Sequence, residues 1–328
     1  MKNELTVGTA AAKPGTKATG WVNVGTRPDD TPLSIPVIVL NGTEDGPVFS
    51  VNASVHGDEH EGVAAVLQLS KTLDPRELRG ALILVPSVNL PAFEAMRRGN
   101  PEDVYVWDLN RTYPGSDRGF LTERIAAAHL NEIEAKADYS VSLHCGANYF
   151  YLIGKVLYED EASKELAKAF GPDWKYLWEG RPFRQTLKSA CISRGVKAVT
   201  LELGGNGNRL PGVFRRNVDT MVKGVLNAMK HFGMVEGAAE YPEEWIVIEE
   251  TQVTANRGGL LLADPLFAFE KRVPAGTTVM RVYNVFGDEV EEIKAPFDGV
   301  LMGLRTYPAV HTGDWTLFIG KVKRVEKR

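Results

Sequence analysis

The stretch PVFSVNASVHGDEHEGVAAVLQLSKTL, residues 47–73, decides the fold. Its opening, PVFSVNASV, reads as a strand, and its close, EGVAAVLQLSKTL, carries apolar residues at helical spacing. Between them the turn HGDEHEG crowds His56, Asp58, Glu59, His60 and Glu61 together. A strand passing through a short turn into an amphipathic helix is the repeating unit of an α/β sheet, and ligands of such sheets gather beyond the carboxyl ends of the strands.

The alternation continues outward. ALILVPSV, YSVSLH and KAVTLELGG read as strands; LTERIAAAHLNEIEA, SKELAKAF and DTMVKGVLNAMKHFGM read as helices, the last ended by Gly233. The pattern predicts an α/β sandwich around a mostly parallel or mixed sheet. The N-terminal residues, GWVNV and SIPVIVLNG among them, read as short strands and turns. Beyond Glu236 the texture changes to short β-like runs cut by Gly and Pro, such as WIVIEETQVTA, TTVMRVYNV and WTLFIGKV. The expected division is a catalytic domain over 1–240, with an N-terminal β segment over 1–46, and a small all-β domain over 241–328.

A chain of 328 residues, 44% hydrophobic and 24% charged, can bury a sizeable core in one large domain and one smaller one. Its 38 basic and 42 acidic residues include no basic run, which argues against nucleic acid or an anionic membrane as partner. No apolar stretch is long enough to span a bilayer, and the N-terminus lacks the apolar core of a signal peptide. A cytoplasmic protein is expected, with a homo-oligomer left open. Cys145 and Cys191 lie in apolar surroundings and read as reduced, buried thiols.

Zinc accepts imidazole and carboxylate together, and a catalytic zinc site takes three protein ligands while keeping one position for water. His56 ends a strand and Glu59 follows in the turn, so the two can aim at one point. A third ligand should lie at another strand end. His144, the last residue of YSVSLH before the turn CGA, meets that need. His129 falls in a helix that reads as partly exposed, and His231 lies near a helix C-terminus, where a cation is favourable. His311 belongs to the C-terminal β region, and His60 should face elsewhere than Glu59. The preferred triplet is His56, Glu59 and His144. Each part has a structural alternative: the acids suit a helix N-terminus, and a lone strand-end histidine is commonly structural.

Two further motifs carry chemistry. In WDLNRTYPG, residues 107–115, Asn110 and Arg111 offer donors, and the guanidinium fork matches a carboxylate. Pairing of Arg111 with Asp108 is the structural alternative. In KAVTLELGG, Glu202 interrupts an apolar strand, where a carboxylate is costly unless paired or functional. Beside a metal it would act as general base for an activated water. Otherwise it is an outward-facing acid of an edge strand, sharing a face with Thr200.

Taken together and in this order, HGDEHEG, NLPAFEAMRR, DLNRTYPG, SLHCGA and TLELGG resemble the succinylglutamate desuccinylase/aspartoacylase family of the wider zinc carboxypeptidase-like superfamily. The resemblance runs from about Gly25 to the end. It implies a carboxypeptidase-like mixed-sheet α/β sandwich holding one Zn2+ per chain on His56, Glu59 and His144. It implies Glu202 as general base and proton shuttle, and Asn110 with Arg111 on a substrate carboxylate. Counting on from Asn89, it implies Arg98 as the arginine that polarises the scissile carbonyl, with the adjacent Arg97 as the alternative. Cys145 stands where Ser or Thr is usual after the third ligand, and Leu90 follows Asn89 where Pro is more common; neither change removes a ligand or the base. Asp58 and Glu61 are expected to orient ligands or meet the helix start.

The C-terminal runs VPAGTTVMRVYNV, IKAPFDGVLMGL and YPAVHTGDWTLFIGKV resemble a biotinyl/lipoyl-like β-domain. The turn VYNVFGDEVEEI lacks the Lys a carrier needs, so a structural role is expected, as a wall of the active site or a subunit contact.

The reaction implied is hydrolysis of an amide bond in a small N-acylated amino acid or a related carboxylate-bearing amide. The aromatic segment between His144 and Glu202 offers Tyr149, Tyr151, Trp174, Trp178 and Arg184 as pocket wall, and with them an acyl or amine part larger or more apolar than acetate. Ordinary core and surface aromatics are the alternative. The competing readings are a metallo-carboxypeptidase acting on a peptide C-terminus and a non-catalytic ligand-binding protein on the same fold. The presence of all three ligands and Glu202 speaks against the second.

Overall fold

A computed structural model describes residues 2–180, 185–205, 210–264 and 269–328. In the strand Glu44–Ala53, Phe49, Val51 and Ala53 alternate onto one face and share a core with Ala65, Val66 and Leu69 of the helix His60–Thr72. Glu44–Ala53, Tyr139–His144 and Lys197–Gly205 lie side by side and parallel. Arg79–Val85 extends the parallel set outward, followed by the antiparallel Pro32–Asn41 and Thr16–Thr26. On the other side Phe150–Tyr158 runs antiparallel to Lys197–Gly205.

Helices cover both faces of this mixed sheet. His60–Thr72, Glu161–Lys168 and Pro211–His231 close one core; Leu121–Ala128 and Leu187–Ser193 close the other. Val141, Leu143, Val199, Leu201 and Leu203 all enter the first core. His144 and Glu202, one residue out of step with them, therefore emerge on the opposite face at the carboxyl ends of their strands. The mixed α/β architecture is the expected one.

The residues after 240 read from sequence as an independent all-β unit, yet the hydrogen-bonded sheet runs across that boundary. Glu244–Thr254 pairs parallel to Tyr176–Glu179, and Trp315–Lys327 pairs antiparallel to Glu244–Thr254. Gly299–Arg305 then bridges Trp315–Lys327 and the first residues of Phe150–Tyr158, within a 12-stranded sheet. Gly259–Ala263, Thr278–Tyr283, Glu289–Lys294 and Ala309–Val310 form a separate 4-stranded sheet over Leu261, Val279, Val282 and Ile293. The join has two physical causes. Tyr176–Glu179 would otherwise present unpaired backbone, and Ile248, Met302 and Phe318 bury against Leu152 and Ile153. No helix among the described residues is long and apolar enough to cross a membrane.

His129 departs from its sequence reading: it is wholly buried, not partly exposed. The helix continues into a π-helical turn, His129–Ile133, and the imidazole meets Glu134 at 3.1 Å and the Tyr113 hydroxyl at 2.8 Å. Glu134 also accepts from Ser50 and Asn52, the polar positions of the opening strand, at 2.8 and 3.1 Å. Burial works to raise the Glu134 carboxyl, but these partners win and hold it below the usual range. Glu134→Ala would remove the acceptor shared by His129, Ser50 and Asn52, and removing one partner of a buried pair costs about 3–5 kcal/mol. The urea unfolding midpoint should fall accordingly; an unmoved midpoint would show that the network adds nothing.

Candidate metal centre and active site

Glu59 occupies the N-cap position of the helix His60–Thr72, yet its side chain caps no amide of that helix. It turns instead between two imidazoles. His56 Nδ1 lies 2.8 Å from Oε1 and His144 Nδ1 lies 2.8 Å from Oε2. All three residues are buried at 3% exposure, and their donor atoms fall within 4.8 Å of one another. The other ring nitrogens are held from outside, His56 Nε2 by Asp108 Oδ1 and His144 Nε2 by Ser142 Oγ, each at 3.1 Å. Two imidazole nitrogens and a carboxylate oxygen converging in a buried pocket, each imidazole oriented by a second partner, suit zinc. Burial pushes the Glu59 carboxyl up, but the two imidazoles outweigh it and hold the group well below the usual carboxylate range. Gly57 is required between ligand and cap: a Cβ there would stand 2.0 Å from the Ala92 carbonyl carbon.

Glu202 sits in register with His144 across the parallel pair. Its strand is interior, not an edge, and Thr200 and Glu202 share the face that lines the cavity. Among the described residues Glu202 Oε2 is buried without a hydrogen-bond partner. Burial, reinforced by Glu59 and opposed by His144, pushes this carboxyl up to about 7.

Arg98, not Arg97, lines the cavity. Its Nε and Nη2 both lie 3.1 Å from Asp108 Oδ2, and Nη1 reaches within 3.9 Å of Glu59. Asp108 is therefore the hinge of the site, oriented by Arg98 and itself orienting His56; sequence reading considered it only as a partner of Arg111. Asn110 and Arg111 also line the cavity, with Asn110 Oδ1 accepting from the Leu187 amide at 3.1 Å. Tyr149 and Trp178 line it too. Tyr151 does not: strand alternation turns it to the helix Pro211–His231, where its hydroxyl donates to Asn217 at 3.2 Å. Trp174 is a core residue, packed on Phe170. Arg184 lies outside the described residues.

The sequence reading left Glu61 between orienting a ligand and meeting the helix start, and it missed two ion pairs of the cavity wall. Glu61 accepts from the Gly205 amide at 2.8 Å and from the Cys145 thiol at 3.1 Å, tying together the ends of the strands that carry His144 and Glu202. Two buried ion pairs, Lys155–Glu250 and Lys188–Glu159, stand in the cavity wall. The cavity measures about 1220 Å³, and strands from beyond residue 240 close one side of it through Glu250, Arg305, Asp314, Trp315 and Phe318.

The family model of the succinylglutamate desuccinylase/aspartoacylase catalytic domain matches residues 45–232. The chain belongs to this family. It is 31% identical over 309 residues to an N-alpha-acetyl-L-2,4-diaminobutyric acid deacetylase of Halomonas elongata, covering 88% of this chain and 86% of the relative. Among solved structures, a succinylglutamate desuccinylase from Silicibacter sp. TM1040 aligns with a TM-score of 0.83 at 25% identity, covering 95% of this chain and 96% of that one. The product-bound ectoine utilization protein EutE from Ruegeria pomeroyi aligns with a TM-score of 0.83 at 25% identity, covering 98% and 99%.

The raised Glu202 carboxyl has a consequence for stability. Between its ordinary 4.5 and about 7, the folded metal-free chain keeps a proton that the unfolded chain has released. That stabilisation is full at the acid end of the window and is lost as pH rises through about 7. Melting curves of metal-free wild type should therefore fall relative to those of Glu202→Gln across the window; a constant gap would mean that Glu202 is solvated. Gly57→Ala should fold poorly or lose metal binding, read by metal content after purification.

Proposed function

We propose that the protein is a zinc-dependent amidohydrolase that removes the acyl group from a small N-acylated amino acid or a related carboxylate-bearing amide. The observation that carries this is the placement of Glu202, in register with His144 and with a buried oxygen that has no partner among the described residues, beside two imidazoles and a carboxylate that converge. Family membership and the deacetylase relative support the same reading.

His56, Glu59 and His144 would hold one zinc ion per chain, which would supply a Lewis acid and lower the pKa of a water toward ~7. Glu202 accepts a proton from the attacking water and later delivers it to the leaving amine. Arg98, clamped by Asp108, donates to the oxygen of the scissile carbonyl as charge develops there, a contribution of about 2.7–4 kcal/mol per donor. Asn110 and Arg111 take the substrate carboxylate through charge-assisted hydrogen bonds. The products are a carboxylate and a free amine. The cavity of about 1220 Å³ leaves room beyond an acetyl group, and Tyr149 and Trp178 give that room an aromatic wall. The residues after 240 act as a structural wall of this cavity, in keeping with their biotinyl/lipoyl-like pattern and the absence of a carrier lysine at the hairpin turn.

The test pairs metal analysis with hydrolysis of N-acyl amino acids, beginning with N-acetyl-2,4-diaminobutyrate and extending to bulkier acyl groups, with blocked dipeptides for the carboxypeptidase alternative. About one zinc per chain is expected in wild type and in Glu202→Gln, with kcat of the variant down roughly 10²–10⁴-fold. A metal-free wild type, or equal turnover by the variant, would overturn the assignment. Arg98→Ala should lower kcat about 10²–10³-fold with zinc retained.

A further inference from the structure

The pairing that sets Glu202 beside His144 sets Lys155 directly opposite Glu202 on its other side. Directly opposed residues of neighbouring strands present their side chains on one face. Metal ligand, base and lysine thus stand in a row. Lys155 is 1% exposed, its Nζ is ion-paired with Glu250, and the rings of Trp178 and Phe318 lie 5.7 and 5.6 Å from it.

A charge so deeply buried is a poor device for stability alone, since apolar side chains of similar volume commonly serve as well. The C-terminal strands are already anchored here by Ile248, Met302 and Phe318. The carboxylate of Glu202, in contrast, has one buried oxygen that takes no hydrogen bond from the described residues. Burial dominates the ionisation of that carboxylate and disfavours its charged form; the charge of Lys155 acts the other way, and that of Glu250 opposes Lys155.

We infer that Lys155, held in place by Glu250, is a positioning residue for Glu202: its ammonium draws one carboxylate oxygen and so turns the other toward His56, Glu59 and His144. The strand Glu244–Thr254, which supplies Glu250, then belongs to the machinery that aims the base. This rests on Glu202 acting as the base.

The test uses the zinc-loaded full chain. Lys155→Met/Glu250→Gln removes both charges without stranding either. Lys155→Glu/Glu250→Lys keeps an ion pair but reverses the charge facing Glu202. With zinc content and melting temperature retained, both should lose at least about tenfold in kcat while KM stays within about twofold, the signature of a loss felt only in the transition state. A purely structural pair would be restored by the exchange, so wild-type kcat in the exchanged variant, or in the neutral one, overturns the inference. Should either double variant fail to fold, Lys155→Arg against Lys155→Gln decides it: the arginine should retain kcat within about threefold and the glutamine should not, and equal rates overturn the inference. Glu202→Gln, measured in parallel, separates the two levels. If it turns over like wild type, the base assignment fails and this inference with it. If it is inactive while the neutral double variant is fully active, only the role of Lys155 fails.

Discussion

The carboxylate of Glu59 lies between two imidazoles, and the architecture around it serves to keep it there. Three buried polar side chains at one point are expensive for a folded chain unless each is satisfied. His56 and His144 meet that demand from one side, Asp108 and Ser142 steady the imidazoles from the other, and Arg98 steadies Asp108. The arrangement needs a helix start, two strand ends and a loop brought within a few ångströms of each other. A parallel sheet with its turns at one edge does this.

Alternation within strands then divides labour between the two faces. Odd positions such as Val141, Leu143, Val199 and Leu201 build a core with the helices His60–Thr72 and Pro211–His231. Even positions, out of step by one, yield His144 and Glu202. A slip of one residue in either strand would exchange core for site, so the same apolar contacts that stabilise the sheet also set the register of the chemistry.

Much of this was legible before any coordinates. The candidate metal triplet that converges in the structure was proposed because His56, Glu59 and His144 end predicted strands or begin the helix that follows, and Glu202 was singled out because a carboxylate in an apolar strand demands an explanation. The residues that escaped notice act through distant partners. Lys155 has no oddity in FYLIGKVLY until Glu250, far along the chain, is brought to it. Glu61 was expected to orient a ligand or meet the helix start, but the partners it takes, Gly205 and Cys145, depend on tertiary closure. Tyr151 was misjudged because composition reports that a segment is aromatic, whereas strand parity decides which rings reach the cavity. The described residues after 240 form strands, in keeping with the texture change there, but hydrogen bonding between strands so remote in sequence leaves no local trace.

That continuity of the sheet across residue 240 bears on how such a protein can be modified. A shift in sequence texture invites treatment of the last part as a cassette, to be exchanged among relatives or dispensed with. Here the seam runs along the backbone ladder of Tyr176–Glu179 and the first residues of Phe150–Tyr158. Severing it would bare two strand edges and an apolar face at once, the combination that recruits other chains into aggregates. Changes confined to an exposed turn of the outlying sheet, such as an insertion around Gly287, leave the main ladder whole, whereas a crossover there would exchange Gly299–Arg305 and Trp315–Lys327 out of it.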